Sequence, residues 1–176
     1  MLVLIRHAKS SWTHEGLSDF ERPLNERGRE DIIVMAEHLS EHAPCPRQFL
    51  SSAAERAMET SSGLIREMNC ASLQPDVLNE LYMASADEIL HTIQRRGRAE
   101  ILYVCAHNPG VSQFLKRIIG SDAEPLSTLG TVLCDYDGPW EHAQWENLRV
   151  REILSPASLR SGAGTRLGSG PRAGKA

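Results

Sequence analysis

Two short apolar stretches of the sequence each lead into a histidine. Leu2–Ile5 is followed by Arg6 and His7, and Ile101–Cys105 leads to His107. A short, continuously apolar run is typical of a strand that is buried on both faces of a parallel sheet. Open α/β sheets gather ligand-binding residues at the carboxyl ends of their parallel strands. We therefore predict that the two imidazoles lie at one edge of a sheet.

A further arginine is expected at the same edge. Arg56 lies about one turn into the helix predicted after the strand Gln48–Ser51, close to a helix N-terminus, where backbone N–H groups favour anions. The planar guanidinium matches phosphate oxygens, and such donors stabilise the charge of a phosphoryl-transfer transition state. A histidine among them can act as the nucleophile and form a phosphohistidine.

The elements that would position these groups alternate along the chain. Helices are predicted over Glu26–His42, over Ala54–Met68, from the capping box Ser85–Glu88 to about Gly97, and over Val111–Ile119. Further extended segments are predicted over Val77–Leu81, Thr131–Tyr136 and Asn147–Ile153, and Trp12–Arg22 reads as a loop. This alternation predicts an α/β fold, a three-layer α/β/α sandwich with a central, largely parallel sheet in a single compact domain. The strand order stays open.

Composition limits the domain organisation and the partners. We assign residues 1–154 to the domain and expect residues 155–176, which are rich in Gly, Ser and Arg, to form a disordered tail. The net charge of -4 argues against a nucleic-acid partner. No apolar run approaches the roughly 20 residues that span a bilayer, so no membrane partner is expected. The cysteines Cys45, Cys70, Cys105 and Cys134 lie far apart, which argues against a zinc site and suggests free thiols in a cytoplasmic protein.

Five segments together resemble the histidine phosphatase superfamily, which is phosphoglycerate mutase-like, and in particular its SixA-type phosphohistidine phosphatases. The segments are IRHAKSSW, LSDFERPLNERG, SSAAERAMET, NELY and CAHNPG, and the resemblance runs from Met1 to about Ile153. It implies that His7 is the nucleophile that accepts the phosphoryl group. It also implies a phosphate clamp and further contact residues, namely Arg6, Arg56, His107, Arg22 and Asn108.

Two features of the sequence bear on the proton donor and the substrate. Glu80 in NELY matches the position where larger relatives keep a proton donor, and Asp19 is a rival for that role. Only about fifty residues separate Arg56 from His107, which leaves no room for the helical lid of sugar-phosphate mutases. The expected open pocket fits a phosphorylated side chain on another protein. The leaving nitrogen of a phosphohistidine can be protonated beforehand, so this substrate depends less on an enzymatic acid.

The resulting hypothesis is a phosphatase that needs neither metal nor cofactor and removes phosphate from phosphohistidine on a protein. A phosphatase for small phosphoesters and a non-catalytic phosphate-binding module are the alternatives. Some residues also have structural interpretations: Arg56 could belong to a solvated helix face, and His107 could only neighbour a helix cap. Trp12, Trp140 and Trp145 are expected to be packing residues.

Overall fold

A computed structural model describes residues 1–13, 16–70, 72–162 and 165–166. Within this part of the chain, seven strands form one sheet: β1 (Leu2–Arg6), β2 (Gln48–Ser52), β3 (Asp76–Leu78), β4 (Leu102–Ala106), β5 (Thr131–Asp135), β6 (Arg149–Leu154) and β7 (Thr165–Arg166). The helices are α1 (Glu26–His42), α2 (Glu55–Glu67), α3 (Ala86–Arg96), α4 (Gly110–Ile119) and α5 (Pro156–Ser161). Single turns of 3-10 helix lie at Asp19–Glu21, Asn79–Leu81 and Trp140–His142.

The strand order in the sheet is β3-β2-β4-β1-β5-β6-β7. The four strands from β3 to β1 are mutually parallel, whereas β5, β6 and β7 continue the sheet in antiparallel fashion. The predicted α/β fold with a central, largely parallel sheet is therefore confirmed, and the structure adds three antiparallel strands at one side. The strand order that the sequence left open is now defined. The parallel half carries the carboxyl ends on which the sequence placed the reactive residues.

Hydrophobic layers cover both faces of the sheet. On one face, Leu2 and Leu4 of β1 pack with side chains of α3 and α4, including Ile89 and Phe114. On the other face, Val3 and Ile5 pack with side chains of α1 and α2, including Met35 and Leu64. Every apolar residue of β1 is fully buried, as expected for a strand between two helical layers. This burial fixes the position of the residues that follow the strand.

Local signals explain where the helices begin. The side chain of Asn25 accepts a hydrogen bond from the backbone of Gly28 and caps α1, and the predicted capping box of Ser85 and Glu88 is present at α3. The first turn of α1 lies against the loop that follows β1, because the Asn25 amide donates to the Lys9 carbonyl over 3.0 Å. A β-carbon at Gly28 would lie 2.2 Å from that same carbonyl oxygen, so this approach requires glycine.

Several sequence predictions need correction. The third extended segment ends at Leu78, and residues 79–81 form a 3-10 turn instead. Residues from Ser155 onward were expected to be disordered, but α5 lies there. It is stabilised by a cap at Ser155 and by Arg160, which pairs with the buried Asp31 over 2.7 Å. Residues 163–164 and 167–176 of that predicted tail lie outside the described residues.

The expectation of free thiols is wrong for one pair of cysteines. Cys45 follows α1 and Cys70 follows α2, and a disulfide joins them. Cys105 and Cys134 are free and buried in the sheet. Disulfides are rare in reducing compartments, so the cytoplasmic location stays a prediction. In the described part of the chain, no helix is long and apolar enough to cross a membrane.

We expect Gly28→Ala to destabilise the protein by about 2 kcal/mol, because the added methyl group would push the Lys9 carbonyl and the loop behind His7 out of place. The matched control is Gly63→Ala in α2, where the new β-carbon would meet only side-chain atoms of Ile32, the nearest at 3.1 Å, and no backbone atom. Urea unfolding of both variants measures the difference. Equal stability of the two variants would contradict the role given to Gly28.

Candidate active site

The register between β1 and β4 brings the two histidines together. Arg6 is the parallel partner of Ala106, so the next residues along the two strands, His7 and His107, emerge side by side. Their ring centroids are 4.9 Å apart. The backbone amide of His7 donates to the Ala106 carbonyl over 3.0 Å, which continues the pairing past the end of the strands. The two imidazoles converge at one edge of the sheet, as the sequence predicted.

Two hydrogen bonds define the tautomer of His7. Its Nδ1 lies 2.7 Å from the carbonyl oxygen of Ala8, which can only accept, so Nδ1 carries the proton. The Nε of Arg56 donates to His7 Nε2 over 3.2 Å, so Nε2 presents a lone pair. The hydroxyl of Thr60 accepts from the Ala8 amide over 3.0 Å and donates to the Arg56 carbonyl, which ties both neighbours of the ring to α2.

Both imidazoles are neutral at physiological pH. Burial, opposed by the hydrogen bond to Ala8 and reinforced by the guanidinium groups of Arg56 and Arg6, lowers the pKa of His7 to about 4. Burial, followed by the nearby His7 and Arg56, lowers the pKa of His107 to about 3. A neutral imidazole is the form that can act as a nucleophile through its free nitrogen.

A serine at the end of β2 orients His107. His107 Nε2 lies 2.7 Å from the hydroxyl of Ser52, and that hydroxyl also accepts from the Ala54 amide over 3.3 Å. If the hydroxyl proton goes to Nε2, the proton of His107 sits on Nδ1. Nδ1 is buried and has no hydrogen-bond partner among the described residues. In that tautomer, Nδ1 is a donor that an incoming anion could use.

The side chains of Arg6 and Asn108 both donate hydrogen bonds to one backbone carbonyl, that of Leu126. Arg6 donates through Nη1 to the Leu126 oxygen over 2.7 Å, and Asn108 donates to it over 3.0 Å. Ser112 donates to the Asn108 side-chain oxygen and accepts from the Leu126 amide. Both ends of the Asn108 amide are thus engaged, which supports a positioning role, and its contact with substrate stays a prediction. The buried Nε of Arg6 lacks a partner among the described residues and is a second unused donor.

Two buried arginines meet at one carboxylate. Arg22 donates to Asp19 Oδ1 over 2.7 Å, and Arg56 donates to Asp19 Oδ2 over 2.8 Å and also to the Asp19 backbone oxygen. The hydroxyl of Tyr82 donates to Oδ2 over 2.9 Å, and the Tyr82 ring stands edge-on to His107. Partial burial alone would raise the pKa of Asp19, but the hydrogen bonds from Tyr82, Arg22 and Arg56 outweigh it and lower the pKa to about 2. Asp19 is therefore ionised in this arrangement.

Arg22 is held on several sides. Its Nε donates to the Ser11 carbonyl and its Nη2 donates to the Ser10 hydroxyl over 2.6 Å. The ring of Trp12 covers the guanidinium at 3.2 Å from the ring centroid. Trp12 itself is 81% exposed, so the expectation that it is a packing residue is wrong, and it stacks on the arginine from the solvent side.

Glu80 is not brought to the histidines. Its carboxylate pairs with Arg96 at the end of α3 over 3.2 Å, and in the described part of the chain it has no hydrogen bond or ion pair with His7, His107 or Arg56. The reason is local: the 3-10 turn at residues 79–81 directs this side chain to the neighbouring helix. A catalytic role for Glu80 stays a prediction that this geometry does not support.

The arrangement is suited to a phosphoryl group. Three guanidinium groups, from Arg6, Arg22 and Arg56, lie near two neutral imidazoles. Among the described residues, Asp19 is the only carboxylate that pairs with any of them. Sequence reasoning missed Ser52, Thr60 and Tyr82 as supporting residues. Ser52 lies between a predicted strand and a predicted helix and carries no distinguishing signal of its own. In NELY, attention went to Glu80 and not to Tyr82 at the end of the same motif.

A different hollow lies at the opposite edge of the sheet. It measures about 680 Å³ and surrounds the disulfide, with lining residues that include Pro44, Arg47, Leu73 and Ile101. These residues precede β2, β3 and β4 or lie in their incoming loops, so the hollow is far from the carboxyl ends of the strands. None of its described lining residues is a histidine, and none belongs to the cluster around His7 and His107.

Comparison with known proteins agrees with this geometry. Residues 2–110 match the family model of the histidine phosphatase superfamily (branch 1). The chain therefore belongs to the histidine phosphatase superfamily, and the resemblance drawn from its motifs is confirmed.

Similar proteins point to the same branch. A candidate phosphohistidine phosphatase SixA from Agrobacterium tumefaciens is 26% identical, with a TM-score of 0.75 and coverage of 88% of this chain and 97% of its own. A structure of the protein histidine phosphatase SixA complexed with tungstate shares the fold at 22% identity and a TM-score of 0.73. The match covers 90% of this chain and 98% of the SixA chain. An uncharacterised chloroplastic protein of Arabidopsis thaliana is 26% identical over 152 residues, which is 81% of this chain and 69% of that protein.

We expect Ser52→Ala to lower kcat about tenfold, because His107 Nε2 would lose its partner and the tautomer would no longer be defined. Nitrogen NMR of the His107 ring reports the tautomer directly, independently of turnover. Ser51→Ala is the matched control, since Ser51 is equally buried but bonds to Ser61 and the Ser52 carbonyl. An unchanged ring spectrum in Ser52→Ala would contradict this assignment.

The lowered pKa values also predict a pH dependence. The unfolded chain takes up protons on these histidines below about pH 6.5, whereas the folded chain does so only near the pKa of about 4 of His7 and of about 3 of His107. Stability is therefore unaffected by them above pH 7 and falls as the pH drops from 6.5 towards 4. His7→Gln removes the part of this loss that is due to His7. The unfolding free energy of the variant minus that of wild type should therefore be about 2 kcal/mol larger at pH 5 than at pH 7.

Urea unfolding at the two pH values measures this difference. Ring NMR signals of His7 and His107 should stay at their neutral positions between pH 7 and 5, with free imidazole in the sample as the reference. Titration of either ring near pH 6.5 would show that the imidazoles are not desolvated as described.

Proposed function

We propose that this protein is a metal-independent phosphatase that works through a phosphohistidine intermediate on His7 and acts on phosphohistidine in another protein. The observation that carries the proposal is the state of His7. Its Nδ1 proton is held by the Ala8 carbonyl and its Nε2 lone pair lies among guanidinium groups. A nucleophile and its anion-binding donors thus occupy one place.

The reaction follows from these positions. His7 Nε2 attacks phosphorus, a P–N bond forms, and the P–N bond of the substrate breaks as its imidazole leaves with a proton. Arg6, Arg56 and His107 neutralise the oxygens in the transition state, and Arg22 adds a further donor. The hydrogen bond from Nδ1 to Ala8 stabilises the positive charge that develops on the His7 ring. Water then attacks the intermediate and releases inorganic phosphate, which restores neutral His7.

The choice of a phosphohistidine substrate rests on the leaving group. Glu80 is paired with Arg96, and the pKa of Asp19 is lowered to about 2, so neither carboxyl is a ready proton donor in the described arrangement. An alkoxide leaving group needs such an acid, whereas an imidazole can leave once it is protonated by solvent. This favours phosphohistidine over small phosphomonoesters, which remain the alternative substrate class.

The proposal predicts a covalent label on one histidine. A phosphohistidine peptide carrying radioactive phosphate should transfer label to the wild-type protein, and the label should be lost in acid but stable in base. His7→Ala should abolish the label and lower turnover at least about a thousandfold, because the nucleophile is gone. His91→Ala is the control, since His91 is exposed on α3 and outside the site.

The same assay separates the alternatives. Faster turnover of small phosphomonoesters than of the phosphohistidine peptide would contradict the proposed substrate class. The proposed mechanism through His7 would still stand. Binding of inorganic phosphate without any label on His7 would leave a phosphate-binding module and contradict the proposed activity.

A further inference from the structure

One acidic side chain occupies the arginines of the site. Asp19 accepts hydrogen bonds from Arg22, Arg56 and Tyr82 through its two carboxylate oxygens and, from Arg56, also through its backbone oxygen. A carboxylate and a phosphoryl group present similar oxygens to a guanidinium fork. The donors that a phosphoryl group would use on Arg22 and Arg56 are therefore already engaged.

The position of Arg56 also covers the nucleophile. While its terminal nitrogens are bonded to Asp19, its Nε donates to the lone pair of His7 Nε2 over 3.2 Å. That lone pair is the one that must attack phosphorus. Arg56 has to give up this contact before reaction, and Asp19 is the group that holds Arg56 in its present pose.

Burial explains why a carboxylate is needed and why it can be displaced. Only 10% of the Arg22 side chain and 4% of the Arg56 side chain are exposed, so both cations would be costly to leave without a counter-charge. Asp19, in contrast, is 46% exposed and lies on a single 3-10 turn in the loop that follows β1. Its carboxylate can move into water without disturbing the core.

We propose that Asp19 is an internal competitor of the substrate: its carboxylate takes the place of phosphoryl oxygens on Arg22 and Arg56, keeps the His7 lone pair covered, and is displaced when a phosphoryl group binds. This inference rests on the proposed function, because it assumes that phosphate binds at these arginines. It assigns Asp19 a positioning role that differs from that of a proton donor.

The competition makes the site selective for charge. A ligand must replace the singly charged carboxylate of Asp19, which forms two ion pairs with arginines and accepts a hydrogen bond from Tyr82. A dianionic phosphoryl group gains more from the guanidinium groups than the carboxylate loses, whereas a monoanion such as acetate does not. Removal of the competitor should therefore improve the binding of all anions, and that of weak ones most visibly.

The test is calorimetric titration of the full chain with inorganic phosphate. Asp19→Asn should bind phosphate about tenfold more tightly than wild type, because the competing charge is gone. Phosphate should correspondingly raise the melting temperature of Asp19→Asn by more than that of wild type. Tyr82→Phe, which removes one donor to Asp19, should shift the affinity in the same direction by a smaller factor and serves as the second variant if Asp19→Asn folds poorly.

Glu21→Gln is the matched control. Glu21 lies in the same 3-10 turn and carries the same charge, but its carboxylate bonds to Ser18 and to neither arginine. This variant should bind phosphate as wild type does. Equal tightening in Glu21→Gln and Asp19→Asn would reduce the effect to general charge and overturn the proposal.

The remaining outcomes are also decisive. Unchanged or weaker phosphate binding by Asp19→Asn, with label still formed on His7, would overturn the competitor role and leave the proposed function intact. A loss of kcat without any change in phosphate affinity would indicate the proton-donor role instead. Absence of both phosphate binding and label in wild type would overturn the proposed function itself.

Discussion

The in-register parallel pairing of β1 and β4 is the constraint on which the site depends. Arg6 and Ala106 are partners, and so the residues after them share one edge of the sheet. A slip of β1 by one residue would move each of its side chains to the other face of the sheet. The slip is opposed by the apolar residues of β1, all fully buried between two helical layers. The packing of the core thus determines the geometry of the imidazoles.

The second feature of the site is a balance of charges at low solvent exposure. Burial keeps both imidazoles neutral, which preserves a nucleophilic nitrogen beside three guanidinium groups. The same burial makes unpaired arginines unfavourable, and Asp19 supplies the negative charge that neutralises Arg22 and Arg56 in this structure. One physical condition, desolvation, therefore accounts both for the neutral state of His7 and for the carboxylate that pairs with the arginines.

Much of this could be predicted from the sequence, because the relevant signals are local. Short apolar runs ending in His7 and His107 identify buried strands, and parallel strands bring their ends together. The remainder depends on contacts between distant residues. Ser52 has the same appearance whether it caps a helix or orients His107. Cys45 and Cys70 pair only because two connections of the sheet approach each other, and α5 forms where Arg160 meets Asp31.

Glu80 shows that a motif does not by itself place a side chain in the site. The resemblance implied a proton donor at this position, but the carboxylate has an arginine partner on α3 and lies outside the cluster of donors. An acid is dispensable only if the leaving group can be protonated by solvent, and a phosphoramidate meets that condition better than an ester. The position of Glu80 and the proposed phosphohistidine substrate are thus consistent with one chemical requirement. The last residue of the motif, Tyr82, contacts the cluster of donors instead, through its hydrogen bond to Asp19.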